Sequence, residues 1–388
     1  VPSDAACVAA LLGLPGMGPH RLTALMARTG SANEAWHLVR TGRLAAFAGT
    51  IGLRADEAKL AESWRQASAG VDPLAIEARH ESAGVTLLAA GDPRFPQRLV
   101  GDPEPPALLF VAGDLDDLDR VAVVALVGTR RATSYGLRLA RRWGAELAEA
   151  GVVVVSGLAA GIDAAAHAGV LAACEATPGA GRPIAVVGTG LDVVYPTSSA
   201  GIWRGVAAAG AVVSEAPLGV TAEPWRFPAR NRIIAGLADV VVVIESQQRG
   251  GSLLTAEEAD KRGRTVLAVP GPVHAPTSAG ALHLIGDGAG LATCAEDILL
   301  ALGSRAPRAV RSPAAPPGDA RVGQAAPAAA LGAEERALLD AFGWQPALVD
   351  HLVERTGWPV GQVCRVLERL LHRRLVTQNG VWLTQEGD

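Results

Sequence analysis

Between residues 121 and 269 the chain alternates two kinds of pattern. Short, nearly continuous apolar runs occupy Val121–Val127, Val152–Val155, Ile184–Val187, Ala211–Val213, Val240–Ile244 and Val266–Val269. The intervening stretches place apolar residues at helical spacing: Ser134–Glu149, Ile162–Ala173, a segment near Ile202, one carrying Arg230, and Leu253–Arg262. Runs apolar on both faces and separated by helices predict an α/β fold with a parallel sheet covered on both sides. In such sheets ligands gather at the carboxyl ends of the strands.

The flanks differ. Residues 1 to about 75 are rich in Ala and Leu with short Gly breaks, which predicts a small helical bundle. Residues 303–332 are Ala-, Pro-, Gly- and Arg-rich without periodicity and read as a flexible linker. Helical spacing returns at Glu334–Phe342, Pro346–Thr356 and Val360–Leu371. Leu375–Thr377, a turn at Asn379-Gly380 and Val381–Leu383 then predict a hairpin. Three helices and a hairpin make a winged helix. The expected domains are 1–78, 79–302 and 333–388, joined by the linker at 303–332.

With 388 residues, 49% of them hydrophobic and 19% charged, the chain can bury a large core. No apolar run approaches the roughly 20 residues of a membrane span, so no membrane partner is expected. Asp4 interrupts the short apolar run at the start, and no secretory pattern is seen. Cys7, Cys174, Cys294 and Cys364 follow no metal spacing and read as reduced core thiols in a cytoplasmic protein, with neither metal nor cofactor expected. The net charge of −4 argues against a generally basic nucleic-acid binder, so any DNA contact must come from a local patch.

The strand-end loops carry the candidate chemistry. They are Gly128-Thr129-Arg130-Arg131, Ser156-Gly157-Leu158-Ala159-Ala160-Gly161-Ile162-Asp163, Gly188-Thr189-Gly190-Leu191-Asp192, Ser214-Glu215 and Gly250-Gly251-Ser252. Glycine lets a backbone approach a phosphate, and free N–H groups at the next helix start bind its oxygens. The glycines also have a plainer use, simply turning the chain. Beside these loops, Trp225-Arg226-Phe227-Pro228 reads as an exposed aromatic-basic run before Arg230-Asn231-Arg232, placed where a strand hands over to a helix. A GxGxxG pattern is absent after the first central strand, which disfavours a nicotinamide enzyme. Asp163 and His167 share a helix face, as a general-base pair or as a capping Asp with a hydrogen-bonded histidine. Glu257 and Glu258 follow the Gly250-Gly251 turn and either complement the helix dipole or act as carboxylates beside a phosphate loop. Glu245 ends a buried strand and is placed to orient a loop or a ligand hydroxyl, and Tyr195-Pro196 to shape a turn.

In this order the loops resemble the DNA processing protein A family, also called Smf. The carriers are Gly128-Thr129-Arg130, Ser156-Gly157 with Gly161-Ile162-Asp163 and His167, Gly188-Thr189-Gly190-Leu191-Asp192 with Tyr195-Pro196, and Ser214-Glu215. Phe227-Pro228 with Arg230-Asn231-Arg232-Ile233-Ile234-Ala235-Gly236-Leu237, and Gly250 with Ser252, complete the set. The resemblance spans roughly 80–302. It implies an extended Rossmann-like domain that binds single-stranded DNA, forms a homodimer and helps load RecA recombinase during natural transformation. Arg130, Arg230 and Arg232 would then neutralise phosphates. Gly128, Gly157, Gly161 and Gly250 would permit close approach, with Thr129 and Ser156 in the same loops. Asn231 and Ser252 would hydrogen-bond phosphate or base, and Phe227, with Trp225 beside it, would stack on a base. A wider group with this fold cleaves nucleoside monophosphates. The stretch from Gly250-Gly251 to Thr255 and Glu258 is similar to theirs, which keeps a nucleotide-processing hydrolase as the alternative. Arg249 stands where those enzymes carry proline.

Leu14-Pro15-Gly16-Met17-Gly18-Pro19 followed by Arg21-Leu22 looks like the hairpin of a helix-hairpin-helix module, within a bundle similar to sterile-alpha-motif domains. In the winged helix, Arg365, Arg369, Arg373 and Arg374 mark the usual DNA-reading helix. Acidic neighbours including Glu334, Glu335 and Glu368 leave that domain without a basic balance.

Overall fold

The apolar runs form strands whose alternate residues feed two different cores. The computed structural model describes residues 2–44, 57–116, 118–303, 332–342, 347–373, 375–379 and 382–385. Its central strands are β3 (Val123–Val127), β4 (Val153–Ser156), β5 (Pro183–Val187), β6 (Ala211–Ser214) and β7 (Val240–Val243), buried at every position. Val123, Ala125, Val127, Val153, Val155, Val241 and Val243 face one core. Val124, Leu126, Val154, Val240 and Val242 face the other. This two-sided burial removes the apolar–polar alternation that a half-exposed sheet would show.

The sheet has nine strands in the order β1-β2-β6-β5-β4-β3-β7-β8-β9, with β8 at Thr265–Ala268 and β9 at Gly290–Leu291. From β6 to β9 all neighbours are parallel. The other edge departs from the expected all-parallel arrangement. Strands β1 (Thr86–Ala89) and β2 (Leu108–Gly113) join antiparallel to each other, and β2 runs antiparallel to β6. Pro105-Pro106 and Gly113 bracket the β2 run and were its signal in the sequence.

Helices cover both faces, among them the short α6 (Gln97–Val100) and α9 (Ala200–Ala209). On one side α7 (Ser134–Glu149) and α8 (Ile162–Ala176) pack together. The Thr133 side chain caps α7 by accepting the Gly136 N–H at 3.1 Å, and Ala140, Trp143, Gly144 and Leu147 form its buried stripe. On the other side lie α10 (Arg226–Leu237) and α11 (Gly251–Asp260). Helix α10 therefore begins earlier than the sequence pattern suggests. Trp225-Arg226-Phe227-Pro228 is its cap and first turn rather than a separate exposed run. Proline is tolerated there because first-turn N–H groups lack intrahelical acceptors.

The N-terminal helices are α1 (Asp4–Leu12), α2 (Pro19–Thr29), α3 (Ala32–Thr41), α4 (Glu57–Ser68) and α5 (Pro73–Ser82). Their apolar residues, among them Leu11, Leu22, Trp36 and Trp64, share one core with Leu108, Phe110, Ala185, Val187 and Val212 of the sheet. Val1–Pro313 accordingly forms one compact unit and Ala314–Asp388 a second. Most of the expected linker, residues 304–331, lies outside the described residues.

In the second unit α12 (Ala333–Phe342), α13 (Val349–Thr356) and α14 (Val360–His372) surround Leu338, Phe342, Leu352, Val363, Val366 and Leu370. A hairpin of β10 (Val376–Asn379) and β11 (Trp382–Gln385) follows, with Asn379 paired to Trp382. Gly380 of the expected turn, Val381 of the expected second strand and Arg374 lie outside the described residues. This is the winged helix that the spacing predicts. Cys364 is exposed on α14 and is not the core thiol expected.

Candidate nucleic-acid interface

Because β3 to β7 are parallel, the loops that follow them emerge along one edge of the sheet. There the Phe227 ring lies 5.3 Å from the Tyr195 ring, and the Arg130 guanidinium carbon sits 5.0 Å from the Phe227 centroid. Arg130 is exposed, Phe227 half-buried and Tyr195 41% exposed. A cation and two aromatic rings therefore converge on the rim from two loops and the first turn of α10. Beside them Trp225 is 46% exposed, and the Arg226 guanidinium lies 4.4 Å from its ring. Tyr195, expected only to shape a turn, is thus a rim residue; its partnership with Phe227 is a tertiary contact that spacing cannot reveal.

Below the rim the candidate arginines are buried. Arg230 donates to the carbonyls of Val186 at 2.7 Å and Gly157 at 2.9 Å, and its Nε has no hydrogen-bond partner among the described residues. Burial pushes its pKa down to about 10, with Asp163 acting in the opposite direction, so it stays charged at neutral pH. Gly157 is glycine for this reason: a Cβ there would lie 1.9 Å from an Arg230 nitrogen. The close approach expected for a phosphate is taken by the protein's own guanidinium. Arg232 is buried too, donating from Nη2 to Glu215 at 2.7 Å. Neither arginine presents a guanidinium on the open rim, which corrects the expectation that both neutralise phosphates alongside Arg130.

The remaining candidates divide the same way. Gly161 has φ +90, and a Cβ would meet the Thr129 carbonyl oxygen at 2.4 Å, so two loops cross there backbone to backbone. At Gly128 the nearest neighbour is Ile162, and at Gly250 it is Ser246. Thr129 donates its N–H to the Glu245 carbonyl at 2.7 Å and is half-exposed. Ser156 is buried, donating to the Leu126 carbonyl at 2.6 Å. Asn231 donates to the Gly251 carbonyl at 3.3 Å, and Ser252 to the Ser246 hydroxyl at 2.9 Å. These buried polar groups fix the loops to each other. They are not open to a strand.

The carboxylates are similarly engaged. Glu245 accepts from the Thr133 N–H at 2.9 Å and from its hydroxyl at 2.5 Å, tying the end of β7 to the start of α7. Asp163 accepts the Gly157 N–H at 3.1 Å, and burial pushes its pKa up. His167 is wholly buried, and the contact that its ring makes with the Ser156 backbone is not a well-aligned hydrogen bond. Its burial lowers the pKa to about 4, against a mild opposing pull from the Ser156 backbone. Burial would raise the Glu258 carboxyl, but hydrogen bonds from Lys261 at 2.6 Å and from Arg262 outweigh it and hold the group below its usual range. Arg262 in turn grips Asp102 through two bonds of 2.7 and 2.9 Å.

In the winged helix Arg369 pairs with Glu334 at 2.8 Å and Arg373 with Glu335 at 3.3 Å, while Arg365 is exposed. The acidic residues noted in the sequence thus meet its basic helix.

The fold defines a Rossmann-like α/β protein with an appended winged helix. Residues 86–303 match the family model of DNA recombination-mediator protein A, and residues 322–376 match the DprA winged helix domain. The chain belongs to the DNA recombination-mediator protein A family. It is 38% identical over 237 residues to Protein Smf of Synechocystis, a stretch covering 60% of this chain and 58% of that protein. It is 36% identical over 230 residues to the DNA processing protein DprA of Bacillus subtilis, covering 59% and 75%. The X-ray structure of DprA from Streptococcus pneumoniae superposes with a TM-score of 0.61 at 32% identity, covering 77% of this chain and 97% of that one.

Proposed function

We propose that this chain binds single-stranded DNA along the rim built by Arg130, Phe227 and Tyr195, and by doing so assists loading of RecA recombinase in recombination and natural transformation. The observation that carries the reading is the Arg130 guanidinium 5.0 Å from the Phe227 ring, with Tyr195 at 5.3 Å on the same rim. A cation suited to phosphate oxygens beside rings suited to base faces fits a single strand, whose bases are free to stack. Arg230, charged and buried beneath the loops, adds fixed positive charge under the rim. The recombinase, the cytoplasmic location and a homodimer formed through the central domain are drawn from the family resemblance.

Fluorescence anisotropy with oligothymidine across a salt series tests the strand reading. Log affinity should fall with log salt by about 0.7 per phosphate, so about three to five contacts give a slope of roughly −2 to −3.5. A flat response would remove the phosphate contacts. For the recombinase, the chain should shorten the lag of RecA filament growth on strands coated with a single-strand-binding protein. An unchanged lag would sink that part.

The hydrolase alternative is less well supported. Glu258 is held by Lys261 and Arg262, and Asp163 and His167 are buried. A general base must reach the proton that it abstracts. Turnover of nucleoside monophosphates that Glu258→Gln abolishes would reverse this preference.

A further inference from the structure

Helix α7 leaves the rim directly, with Arg130 and Arg131 in the loop that leads into it. Its buried stripe of Ala140, Trp143 and Leu147 fixes which residues face away from the core. Tyr135, Arg138 and Arg142 share the opposite face, at the i, i+3 and i+7 positions of one helical row. All three are exposed, Tyr135 by 49%, and Arg141 is exposed beside them.

The charges of α7 are ordered against the stability of the helix. The helix dipole favours acids in the first turn and bases in the last, and α7 has neither. Its acids, Glu146 and Glu149, stand at the C-terminal end instead. Arg138 has Arg141 and Arg142 three and four residues on, a spacing at which like charges repel. Glu146 neutralises Arg142 at 2.7 Å. Among the described residues Arg131, Arg138 and Arg141 make no ion pair. In a chain of net charge −4 these cations are a local surplus, and they adjoin Arg130. A bound polyanion would relieve their repulsion. Tyr135 sets an aromatic face one turn from Arg138, and the track adjoins the Phe227–Tyr195 rings, which favours a single strand over a duplex or an acidic protein. From Thr133 to Arg142 the chain rises about 13.5 Å, after which Glu146 and Glu149 close the track.

We infer that a single strand leaving the rim continues along the outer face of α7, with its phosphates on Arg131, Arg138 and Arg141 and a base on Tyr135. The inference rests on the rim reading and extends it by naming where the strand runs next.

The test titrates the full chain with an oligothymidine of about 20 nucleotides and with a duplex of the same length. Arg138→Ala should weaken the single strand about five- to tenfold, as the loss of one phosphate hydrogen bond does. Its salt slope should be shallower by about 0.7, one phosphate contact fewer. Arg138→Lys should restore most of the loss. Tyr135→Ala should weaken binding about fivefold or more with the slope unchanged, whereas Tyr135→Phe should bind as wild type does. Arg142→Ala removes the same formal charge from a surface pair already neutralised, and should stay within about twofold of wild type. A loss in Arg142→Ala equal to that in Arg138→Ala would reduce the effect to net charge and overturn the track. Arg138-dependent binding of the duplex alone would reassign the face to duplex DNA and overturn it too. So would a second oligonucleotide per chain that Arg138→Ala removes, since the face would then be a separate site. Binding that is lost in Arg130→Ala but indifferent to Arg138 and Tyr135 would remove the track alone. Failure of the wild-type chain to bind the single strand would instead remove the rim reading.

Discussion

Arg130 and Arg230 stand at comparable strand-end positions in the sequence, yet their environments are opposite. Arg130 is exposed above an aromatic ring, whereas Arg230 is held by two backbone carbonyls. Residue type located the chemistry, but only tertiary contacts sort an outward cation from an inward one. On the rim reading, Arg130→Ala should weaken single-strand binding by about 1.5–3 kcal/mol, the range for a charge-assisted contact. Arg373→Ala should change it far less, because Arg373 is paired with Glu335 at 3.3 Å. Anisotropy on both folded variants makes the comparison, and equal losses would move the main site to the winged helix. His167 offers a test that needs no ligand. Its pKa falls from 6.5 to about 4 on burial, so between those values the unfolded chain binds the proton and the folded one does not. The associated stability is complete above pH 6.5 and is lost as pH falls through about 4, a change on the order of 3 kcal/mol. Denaturant melts of wild type and His167→Leu should therefore differ in slope across that window, the variant being flatter. Parallel profiles would mean that the ring is already protonated or hydrated in the native state.

At the level of elements, the parallel strands were legible because burial on both faces leaves unbroken apolar runs. Val240–Val243 and Pro183–Val187 fall within a residue of their sequence bounds. Strands β1 and β2 were not placed, because neither belongs to the strand–helix alternation. The start of α10 was blurred by Pro228, which interrupts helical pattern while remaining compatible with a first turn. Helix crossings are less legible still. Helices α7 and α8 approach so closely that a Cβ on Gly169 would lie 1.9 Å from the Arg141 carbonyl oxygen, and one on Gly144 would lie 2.3 Å from that of Ala166. In the sequence these are glycines within helices, ordinarily a weakness. In the fold they allow contact between backbones. Gly169→Ala should force the helices apart and cost about 1–3 kcal/mol, as overpacking does, despite the higher helix propensity of alanine. Thermal melts should show the loss. A variant as stable as wild type, or more so, would show that the crossing can widen freely.

For the whole molecule, the two compact units Val1–Pro313 and Ala314–Asp388 set the next expectation. The winged helix neutralises much of its own charge through the Arg369–Glu334 and Arg373–Glu335 pairs. A chain ending near residue 303 should thus retain single-strand affinity within about tenfold, roughly 1.4 kcal/mol. The winged helix would then contribute mainly through local concentration. Gel shift on the truncated chain decides this, and complete loss from a folded truncation would place the primary site in the second unit. The opposite end admits no such cut. Leu11, Leu22 and Trp64 share their core with Phe110, Val187 and Val212, so the first helices are completed by strands that come much later in the chain. During synthesis those helices leave the ribosome before their partners exist. The interval between α1 and β6 is about 200 residues. At roughly 5–20 residues per second, the apolar face of the nascent bundle stays uncovered for on the order of ten seconds or more. The N-terminal segment is therefore the first part of the chain to be made and among the last to be buried, and it is where a chaperone holding the nascent chain has most to protect.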